Sequence, residues 1–468
     1  MELIKKTACE VLDLLNKDEV SPLDLLDQLE KRIGDVDGKV NALPTLCFDR
    51  ARAHAKELMA KPRDERGELA GIPVAIKDLT DVEGVLSTHG SPVYKDHTPT
   101  ASDHMAERVE NSGGVIYAKS NTPEFGAGAN TFNEVFGATV NPYDTRMSAA
   151  GSSGGSAVAL ATGMAWLAHG SDMGGSLRNP ASFCGIVGLR PSPGRVPCGP
   201  SDNPYDNLGM EGPMTRNIDD MALLLDAMSH WDYREPQSLE KPAVSFRDQV
   251  KNRKKPLRVA YSADLGITPV DPEVAEICKK AAEKFQEMGV EVVEAHPDFT
   301  EAHESFQTLR AISFCTGIGG LLETDRDKLK PEVIWNLEKG FRMEAGDVIK
   351  AFKQRGKLVD RANAFMQDYD LLLTPATIVS PYPVEQRYVT SCNGQEFETY
   401  IDWLAIAYAI TLVSLPALSL PCGFTSTGLP VGLQMVGKPR GEGGLLAGAK
   451  FLEEALGMPL DPIDPIVK

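Results

Sequence analysis

Hydrophobic residues along this 468-residue chain follow two alternating patterns. Near the N-terminus, capping boxes of the S/T-x-x-E/D kind at Thr7–Glu10 and Ser21–Asp24 each predict the start of a helix. Short continuous apolar runs such as GIPVAIKD (71–78) and VIYAK (115–119) are instead typical of buried strands. A helix is expected between these two runs, from Ser102 to Ser112. The chain is therefore predicted to begin with helices and to enter a sheet near residue 70.

The same alternation continues in the second half of the chain. LRVAYS (257–262) and VEVVEA (290–295) predict strands on either side of a helix from Pro272 to Met288, and YDLLLTP (369–375) predicts another strand. Strands that alternate with helices indicate an α/β fold with a largely parallel or mixed sheet. Since no internal repeat or low-complexity linker divides the chain, one large domain is expected over residues 1–468.

One long uncharged stretch, from Trp403 to Gly437, has the length of a membrane span. A span needs about 20 consecutive apolar residues, but Pro416 and Pro421 interrupt this run. We expect it to form a buried helix from Thr399 to Val413 followed by two buried strands. No association with a membrane is predicted.

The charge and the reactive residue types exclude several classes of function. The net charge is −18 and the isoelectric point is about 5.0, so the chain repels phosphate backbones and no nucleic-acid partner is expected. The eight cysteines form no C-x-x-C pair and no secretory signal is visible, which favours free thiols and a cytoplasmic location. The eight histidines show no spacing such as H-E-x-x-H, so no metal site is predicted.

Two loops of small residues carry the candidate chemistry. The first, GSSGGS (151–156), precedes the helix-forming run AVALA. Free backbone N–H groups at such a helix start can bind an anion or a developing oxyanion. The loop lacks the Gly-Lys-Ser/Thr of a phosphate-binding P-loop. It matches G-x-S-x-G, but no strand precedes it as a nucleophile elbow requires.

The second loop, GSDMGGSLRNP (170–180), follows an apolar strand predicted from Trp166 to Ala168. Its consecutive glycines let several N–H groups face one point, as an oxyanion hole requires. Asp172 and Arg178 flank the loop and can pair to brace it. A tight strand-to-helix turn with a surface serine explains the same residues, so composition alone leaves both interpretations open.

With their surroundings, these two loops resemble the core of the amidase signature family. GIPVAIKD is similar to the lysine-bearing strand of that family, and NTPEFG (121–126), VNPYD (140–144) and GLPVGLQMVG (428–437) match in the same order. The resemblance spans roughly residues 5 to 455. It implies an α/β amidase signature fold, in which a central mixed, twisted β-sheet is flanked on both faces by α-helices.

The resemblance also implies a Ser–cis-Ser–Lys triad, with Ser176 as the nucleophile, Ser152 as the cis-serine relay and Lys77 as the general base. Neither a cofactor nor a metal is implied. The resemblance divides the domain into a helical N-terminal segment (about 1–65), a catalytic core (about 66–200) and a remainder with substrate-pocket elements (about 201–468). Further implied positions are the oxyanion-binding N–H groups of Met173, Gly174, Gly175 and Ser176, the supporting residues Ser153, Asp172 and Arg178, and substrate contacts at Gly126, Ala127 and Gly128.

The chemistry of a lysine base agrees with these assignments. A lysine can accept a proton only when it is neutral, so the pKa of Lys77 must fall from about 10.4 toward neutrality, as burial at the end of an apolar strand would make it do. Ser152 then relays a proton between Ser176 and Lys77. Strand position alone does not separate Lys77 from Lys119, which also ends an apolar run, and the family pattern decides for Lys77. The same pattern favours Ser152 over Ser153.

A few residues depart from the family pattern or invite other interpretations. Ala150 stands where the family often has glycine, and Met173 stands where it often has threonine or a small residue. Cys184 is expected in the core rather than in catalysis. His89 either lines the pocket or lies on a partly exposed loop. Aromatic residues that permit an apolar acyl pocket, although each is more often a core residue, are Phe125, Phe132, Phe136, Phe314, Trp335 and Trp403.

The reaction expected from the resemblance is hydrolysis of a small-molecule carboxamide, or of a related ester or carbamate. It proceeds through an acyl-Ser176 intermediate and releases ammonia or an amine. The main alternative is the A-type component of a tRNA-dependent amidotransferase, a glutaminase that feeds ammonia to a partner protein. The segments 300–345 and 400–424 look more like those of free-standing amidases, for which a homodimer is common. A non-catalytic protein of the same fold is disfavoured because all three triad residues are intact.

Overall fold

The computed structural model describes residues 3–468, in which helices and strands alternate along the chain. The strands are β1 (Thr45–Leu46), β2 (Pro73–Lys77), β3 (Val115–Ser120), β4 (Phe132–Asn133), β5 (Gly137–Ala138), β6 (Leu167–Asp172), β7 (Val187–Arg190), β8 (Met210–Thr215), β9 (Arg258–Tyr261), β10 (Glu291–Glu294), β11 (Leu371–Pro375), β12 (Ser391–Cys392), β13 (Gln395–Glu396), β14 (Ala417–Phe424) and β15 (Pro430–Val436). The helices are α1 (Ala8–Asn16), α2 (Pro22–Val36), α3 (Phe48–Met59), α4 (His104–Asn111), α5 (Gly154–Ala161), α6 (Arg178–Cys184), α7 (Ile218–Met228), α8 (Phe246–Lys251), α9 (Pro272–Glu287), α10 (Ala302–Ile318), α11 (Leu321–Thr324), α12 (Pro331–Phe341), α13 (Ala345–Phe365), α14 (Ala405–Leu412) and α15 (Glu442–Leu456).

Eleven of the strands form one mixed sheet, in the order β1-β3-β2-β6-β8-β7-β14-β15-β11-β9-β10. Strands β3, β2 and β6 run parallel to one another, as do β10, β9 and β11, and antiparallel pairs join these two groups through the centre. Helices flank the sheet, which confirms the predicted α/β architecture. The division of the chain into one domain with three segments stays a prediction.

The N-terminal helices begin where the sequence predicts. At the start of α1, the Thr7 hydroxyl accepts from the Glu10 N–H, and the Glu10 carboxylate accepts from the Thr7 N–H. Ser21 and Asp24 form the same reciprocal pair at the start of α2, where Pro22 takes the first helical position. Such pairs satisfy two N–H groups that have no partner within the helix, which explains why these termini are legible in the sequence.

Two element boundaries differ from the prediction. Strand β6 does not end at Ala168 but continues through polar residues to Asp172, because this part pairs with β8 residue by residue. The helix expected from Thr399 to Val413 is shorter. Thr399 bonds to the Asp402 carboxylate through both its N–H and its hydroxyl, which makes a turn there, and α14 begins only at Ala405. Among residues 3–468, no helix combines the length and apolarity needed to cross a membrane.

Two fully buried helices carry the small-residue loops into the centre of the molecule. Every residue of α5 and of α6 is buried, and α5 packs on β2, β3 and β6 while α6 packs on β7, β14 and β15. Gly155 allows α5 to approach its neighbours, since a Cβ there would stand 2.3 Å from the backbone nitrogen of Asn121. The loops before these helices therefore meet at the end of β2, where Lys77 lies.

Candidate active site

Lys77, the last residue of β2, is completely buried. Its Nζ donates to the Ser152 Oγ at 2.7 Å and to the Ser171 Oγ at 3.0 Å. Its backbone N–H donates to the Nδ1 of His169 on β6, 3.4 Å away. The strand thus fixes the backbone of the lysine while two hydroxyls hold the amine.

The surroundings of Lys77 change its charge state. Burial lowers the pKa of Lys77 to about 7, against the opposing effect of the Glu211 and Asp172 carboxylates. The amine is therefore neutral in about half of the molecules at neutral pH. Lys77 therefore has the lowered pKa that a lysine base requires, and its role as the base stays a prediction.

Ser152 lies in the loop before α5, and the Gly151–Ser152 peptide bond is cis. The neighbouring residue Ser153 joins the two small-residue loops. Its N–H donates to the Ser176 carbonyl at 3.2 Å, and its Oγ accepts from the Ser171 N–H at 3.3 Å. Ser153 therefore links the two loops, and its supporting role stays a prediction.

The loop between β6 and α6 is organised around the Asp172 carboxylate. Both its oxygens accept from the Arg178 guanidinium, at 2.8 and 3.0 Å, and they also accept from the N–H groups of Gly175 and Leu177. Burial alone would raise the pKa of Asp172, but the charges and hydrogen bonds of Arg178, aided by Arg190, hold it far below its usual range. The bracing predicted for Asp172 and Arg178 is present as a buried two-point ion pair.

This arrangement narrows the predicted set of oxyanion donors. The Gly175 N–H is committed to Asp172 at 2.9 Å, and Gly175 adopts a φ of +107°. Within residues 3–468, the N–H groups of Met173, Gly174 and Ser176 donate to no protein acceptor. Three of the four predicted donors are therefore available to a ligand, and Gly175 shapes the loop that presents them.

A cavity of about 510 Å³ lies against these groups. Its wall includes Ser152, Ser176, Met173 and Gly174, so the two predicted serines and two of the available N–H groups share one space. The remaining wall brings together segments that are distant in the chain, from Leu79 to Leu404. A concave site of this size with a few convergent polar groups suits a small-molecule ligand.

Comparison with known proteins shows the family to which the chain belongs. A sequence model of the family described as Amidase matches residues 24–446. The chain belongs to the amidase signature family. It is accordingly a hydrolase of the class that acts on C–N bonds in amides.

Two kinds of relative stand at similar distance from this family member. The chain is 33% identical to an acylamidase from Rhodococcus erythropolis, over 93% of this chain and 92% of the relative. It is 34% identical to the A-type component of the glutamyl-tRNA(Gln) amidotransferase from Moorella thermoacetica, over 97% of each protein. Among solved structures, a bacterial aryl acylamidase of the amidase signature family superimposes with a TM-score of 0.90 at 25% identity, covering 96% of each chain.

Lys77 and Lys119, which strand position alone did not distinguish, have different contacts in the structure. Lys119 is also buried, but its Nζ donates to the Thr80 carbonyl at 2.7 Å and to the Ser87 Oγ at 2.6 Å, and it pairs with Asp78 at 3.1 Å. These partners engage the ammonium outside the cavity wall. Lys119 therefore has the contacts of a structural ion pair.

Other predicted positions divide between the cavity and its surroundings. Gly126 and Gly128 line the cavity, whereas Ala127 is buried beside them and its carbonyl accepts from the Lys330 Nζ. Cys184 is buried, as expected, and burial raises the pKa of its thiol. His89 is not among the residues of the cavity wall and lies one layer behind it, with its ring stacked on Phe125 at 6.5 Å.

The sequence patterns did not single out two residues of the site, Ser171 and Glu211. Ser171 and Glu211 lie opposite each other on β6 and β8, and both line the cavity. The Glu211 carboxylate bonds to the Nε2 of the buried His169, whose other ring nitrogen contacts Lys77. The alternation of β6, extended past Ala168 to Asp172, could have placed Ser171 near the lysine. Glu211 belongs to no motif, so no sequence pattern could have placed it there.

Proposed function

We propose that this protein is a free-standing amidase that hydrolyses small-molecule carboxamides through an acyl-Ser176 intermediate. The observation that carries the proposal is the 2.7 Å contact between a buried Lys77 amine and the Ser152 hydroxyl, at a cavity that Ser152 and Ser176 both line. A serine needs a base to become nucleophilic, and a lysine with a pKa near 7 can serve as one.

In the proposed reaction, the Ser176 Oγ attacks the substrate carbonyl carbon and its proton passes through Ser152 to the neutral Lys77 amine. The carbonyl oxygen becomes an oxyanion that the N–H groups of Met173, Gly174 and Ser176 can bind. Collapse of this intermediate breaks the C–N bond, and the leaving nitrogen takes the proton back along the same relay. Water then attacks the acyl-serine by the same steps, releasing the acid and restoring Ser176.

The chemistry of the cavity supports an apolar acyl or aryl group in the substrate. Two of its charged residues bond to protein groups, since Arg310 donates to Asn336 and to the Tyr400 hydroxyl, and Glu211 bonds to His169. The apolar side chains on the wall are Leu79, Phe125, Met173, Phe306, Phe314 and Leu404.

Labelling with a fluorophosphonate, followed by intact-protein mass spectrometry, tests the serine and its activation. We expect one adduct in wild type, none in Ser176→Ala, and labelling roughly 100-fold slower or more in Ser152→Ala and Lys77→Ala. Lys119→Ala is the matched lysine control and should label at the wild-type rate per folded molecule. An adduct on another serine, or equal slowing in the control, would overturn the assignments.

A second experiment separates the free-standing amidase from the amidotransferase component. The purified chain is assayed alone against aryl amides, aliphatic amides, esters, carbamates and glutamine. We expect turnover of an apolar amide without a partner and a native mass that is a multiple of this chain alone, as in a homodimer. Turnover restricted to glutamine, or appearing only with a co-purifying partner protein, would support the amidotransferase function instead.

A further inference from the structure

One cluster of metal-ligating side chains lies outside the active-site cavity. It consists of Asp81, His89 and His97, which are each separated by eight positions in the chain. The Nε2 of His89 lies 3.1 Å from the Asp81 Oδ1, and the Nε2 of His97 lies 3.3 Å from the Oδ2. All three ligand atoms fall within 4.8 Å of one another. We propose that these residues form a binding site for a divalent transition-metal ion, with Zn²⁺ as the ion that the ligands fit best.

The ligand types and spacings match such an ion. Two imidazole nitrogens and one carboxylate are a common donor set for zinc, with bonds of about 2.0–2.2 Å. Ligand atoms arranged as a tetrahedron at that distance lie about 3.3 Å apart. The separations here are similar, at 3.1 Å from the His89 nitrogen to one Asp81 oxygen and 3.3 Å from the His97 nitrogen to the other. The side chains of Asp81, His89 and His97 are 23%, 21% and 34% exposed. Because the cluster reaches solvent, water can take the fourth position around the ion.

The orientation of His89 relative to Asp81 favours a shared ion over a simple ion pair. An ion pair between histidine and aspartate is a hydrogen bond, so its N–H points at the oxygen. Among residues 3–468, the buried Asp81 Oδ1 accepts no hydrogen bond, although the His89 nitrogen is only 3.1 Å away, whereas the His97 Nε2 has hydrogen-bond geometry to the Asp81 Oδ2 at 3.3 Å. A nitrogen and an oxygen that are close but not aimed at each other are arranged as two ligands of a third atom would be.

Backbone contacts hold the ligands in place. The Asp81 N–H donates to the Asp103 carboxylate at 2.8 Å, and the Asp81 carbonyl accepts from the Asp103 N–H at 3.0 Å. The His97 carbonyl accepts from the Ser87 N–H at 3.0 Å, and the His89 carbonyl accepts from the Phe125 N–H at 2.9 Å. The site is therefore largely formed before an ion binds, which lowers the cost of binding.

The position of the cluster links it to the catalytic cavity without making it part of the cavity. Phe125 contributes to the cavity wall, and it contacts His89 through both its ring and its N–H. An ion that fixes His89 would also fix this part of the wall. The role inferred for the metal is structural, and the proposed acyl-Ser176 chemistry does not depend on it.

Cobalt(II) is the probe for the first test, because its visible absorption reports coordination by nitrogen. Titration of the metal-free full-length protein should give one bound Co²⁺ per chain, displaced by Zn²⁺. His89→Gln, His97→Gln and Asp81→Asn should each weaken binding by roughly 100-fold or more, since even outer partners of metal ligands contribute 10–100-fold. His230→Gln is the matched control, because His230 lies 3.2 Å from the Glu68 carboxylate and, in the described part of the chain, belongs to no cluster with a second histidine.

Circular dichroism of each metal-free variant shows whether it is folded, and X-ray absorption of the zinc-loaded wild type provides a test without any substitution. We expect two imidazoles in the zinc coordination sphere. Co²⁺ affinity that is the same in wild type and in the three ligand variants would overturn the proposal, as would a zinc sphere with no imidazole. If His230→Gln weakens Co²⁺ binding as much as the three ligand variants do, the proposed site is also wrong.

Discussion

The charge state of Lys77 should set the acid limb of the pH–rate profile. The Glu211 carboxylate raises the pKa of Lys77 and so should move that limb to higher pH. With a pKa of about 7, the neutral fraction of the amine is about one-tenth at pH 6, one-half at pH 7 and nine-tenths at pH 8. The rate constant kcat/KM of the wild type should rise with pH in the same proportions.

Replacing Glu211 by Gln removes a negative charge that stabilises the Lys77 ammonium. The pKa of Lys77 should therefore fall below 7. A fall of one unit, about 1.4 kcal/mol, is the order expected for a nearby charge at a buried site. It would raise the neutral fraction at pH 6 from about one-tenth to one-half, a gain of roughly fivefold in kcat/KM. The glutamine oxygen can still accept from His169, so the local contacts are retained.

The assay is kcat/KM for an apolar amide from pH 5 to pH 10, in wild type, Glu211→Gln and Glu235→Gln. Glu235 is the control because it lines the same cavity and burial raises its own pKa to about 7, so it could produce a similar limb. It is not among the charges that act on Lys77. We expect the limb to move to lower pH only in Glu211→Gln. A limb that stays at pH 7 or moves to higher pH in that variant, or that disappears in Glu235→Gln, would refute the assignment of the base.

Three further predictions concern the lysines and the glycine loop. Lys119→Met should lower the free energy of unfolding, measured with denaturant, by about 3–5 kcal/mol, because it leaves the Asp78 carboxylate buried without its cation. Its turnover per folded molecule should equal that of the wild type. Relative to Lys77→Met, the wild type should gain about 4 kcal/mol in the free energy of unfolding between pH 7 and pH 10.5, because only the unfolded lysine keeps its proton there. A difference that is flat or falls with pH would contradict the burial of a neutral amine. Gly175→Ala should reduce kcat roughly 100-fold, because φ at this position is +107° and the new Cβ would stand 2.5 Å from the Asn179 side-chain amide. Gly444→Ala is the control and should leave kcat unchanged, since no atom lies within 4 Å of its new Cβ.

Local patterns made much of the fold predictable. The capping boxes at Thr7 and Ser21 and the continuous apolar runs around Val74 and Ile116 depend on residues close together in the chain, and the elements they predict are present. The end of β6 was not predictable in this way. Its polar residues from His169 to Asp172 extend as a strand because β8 pairs with them, and no local pattern reveals that partner.

The residues of the candidate site also differ in how far local patterns predict them. Ser152, Ser176 and Lys77 follow from motifs, and the structure brings Ser152 and Lys77 into contact. Glu211 could not be found, because its effect on the pKa of Lys77 depends on the register of two strands. The cluster of Asp81 with two histidines was missed for a similar reason, since loop folding rather than helical spacing brings its ligands together.

The buried guanidinium of Arg178 ties the beginning of the site to the end of the chain. Besides Asp172, it donates to Ala407, Thr411 and Gln434, which follow it by 229, 233 and 256 residues. A ribosome makes the chain from the N-terminus, so the residues of both serine loops emerge long before these acceptors exist. A nascent or truncated chain that stops short of residue 434 holds every predicted triad residue but leaves Arg178 without its distal partners. Hydrolytic competence should therefore appear only after residue 434 has left the ribosome, when β14 and β15 can pack against a serine loop made much earlier.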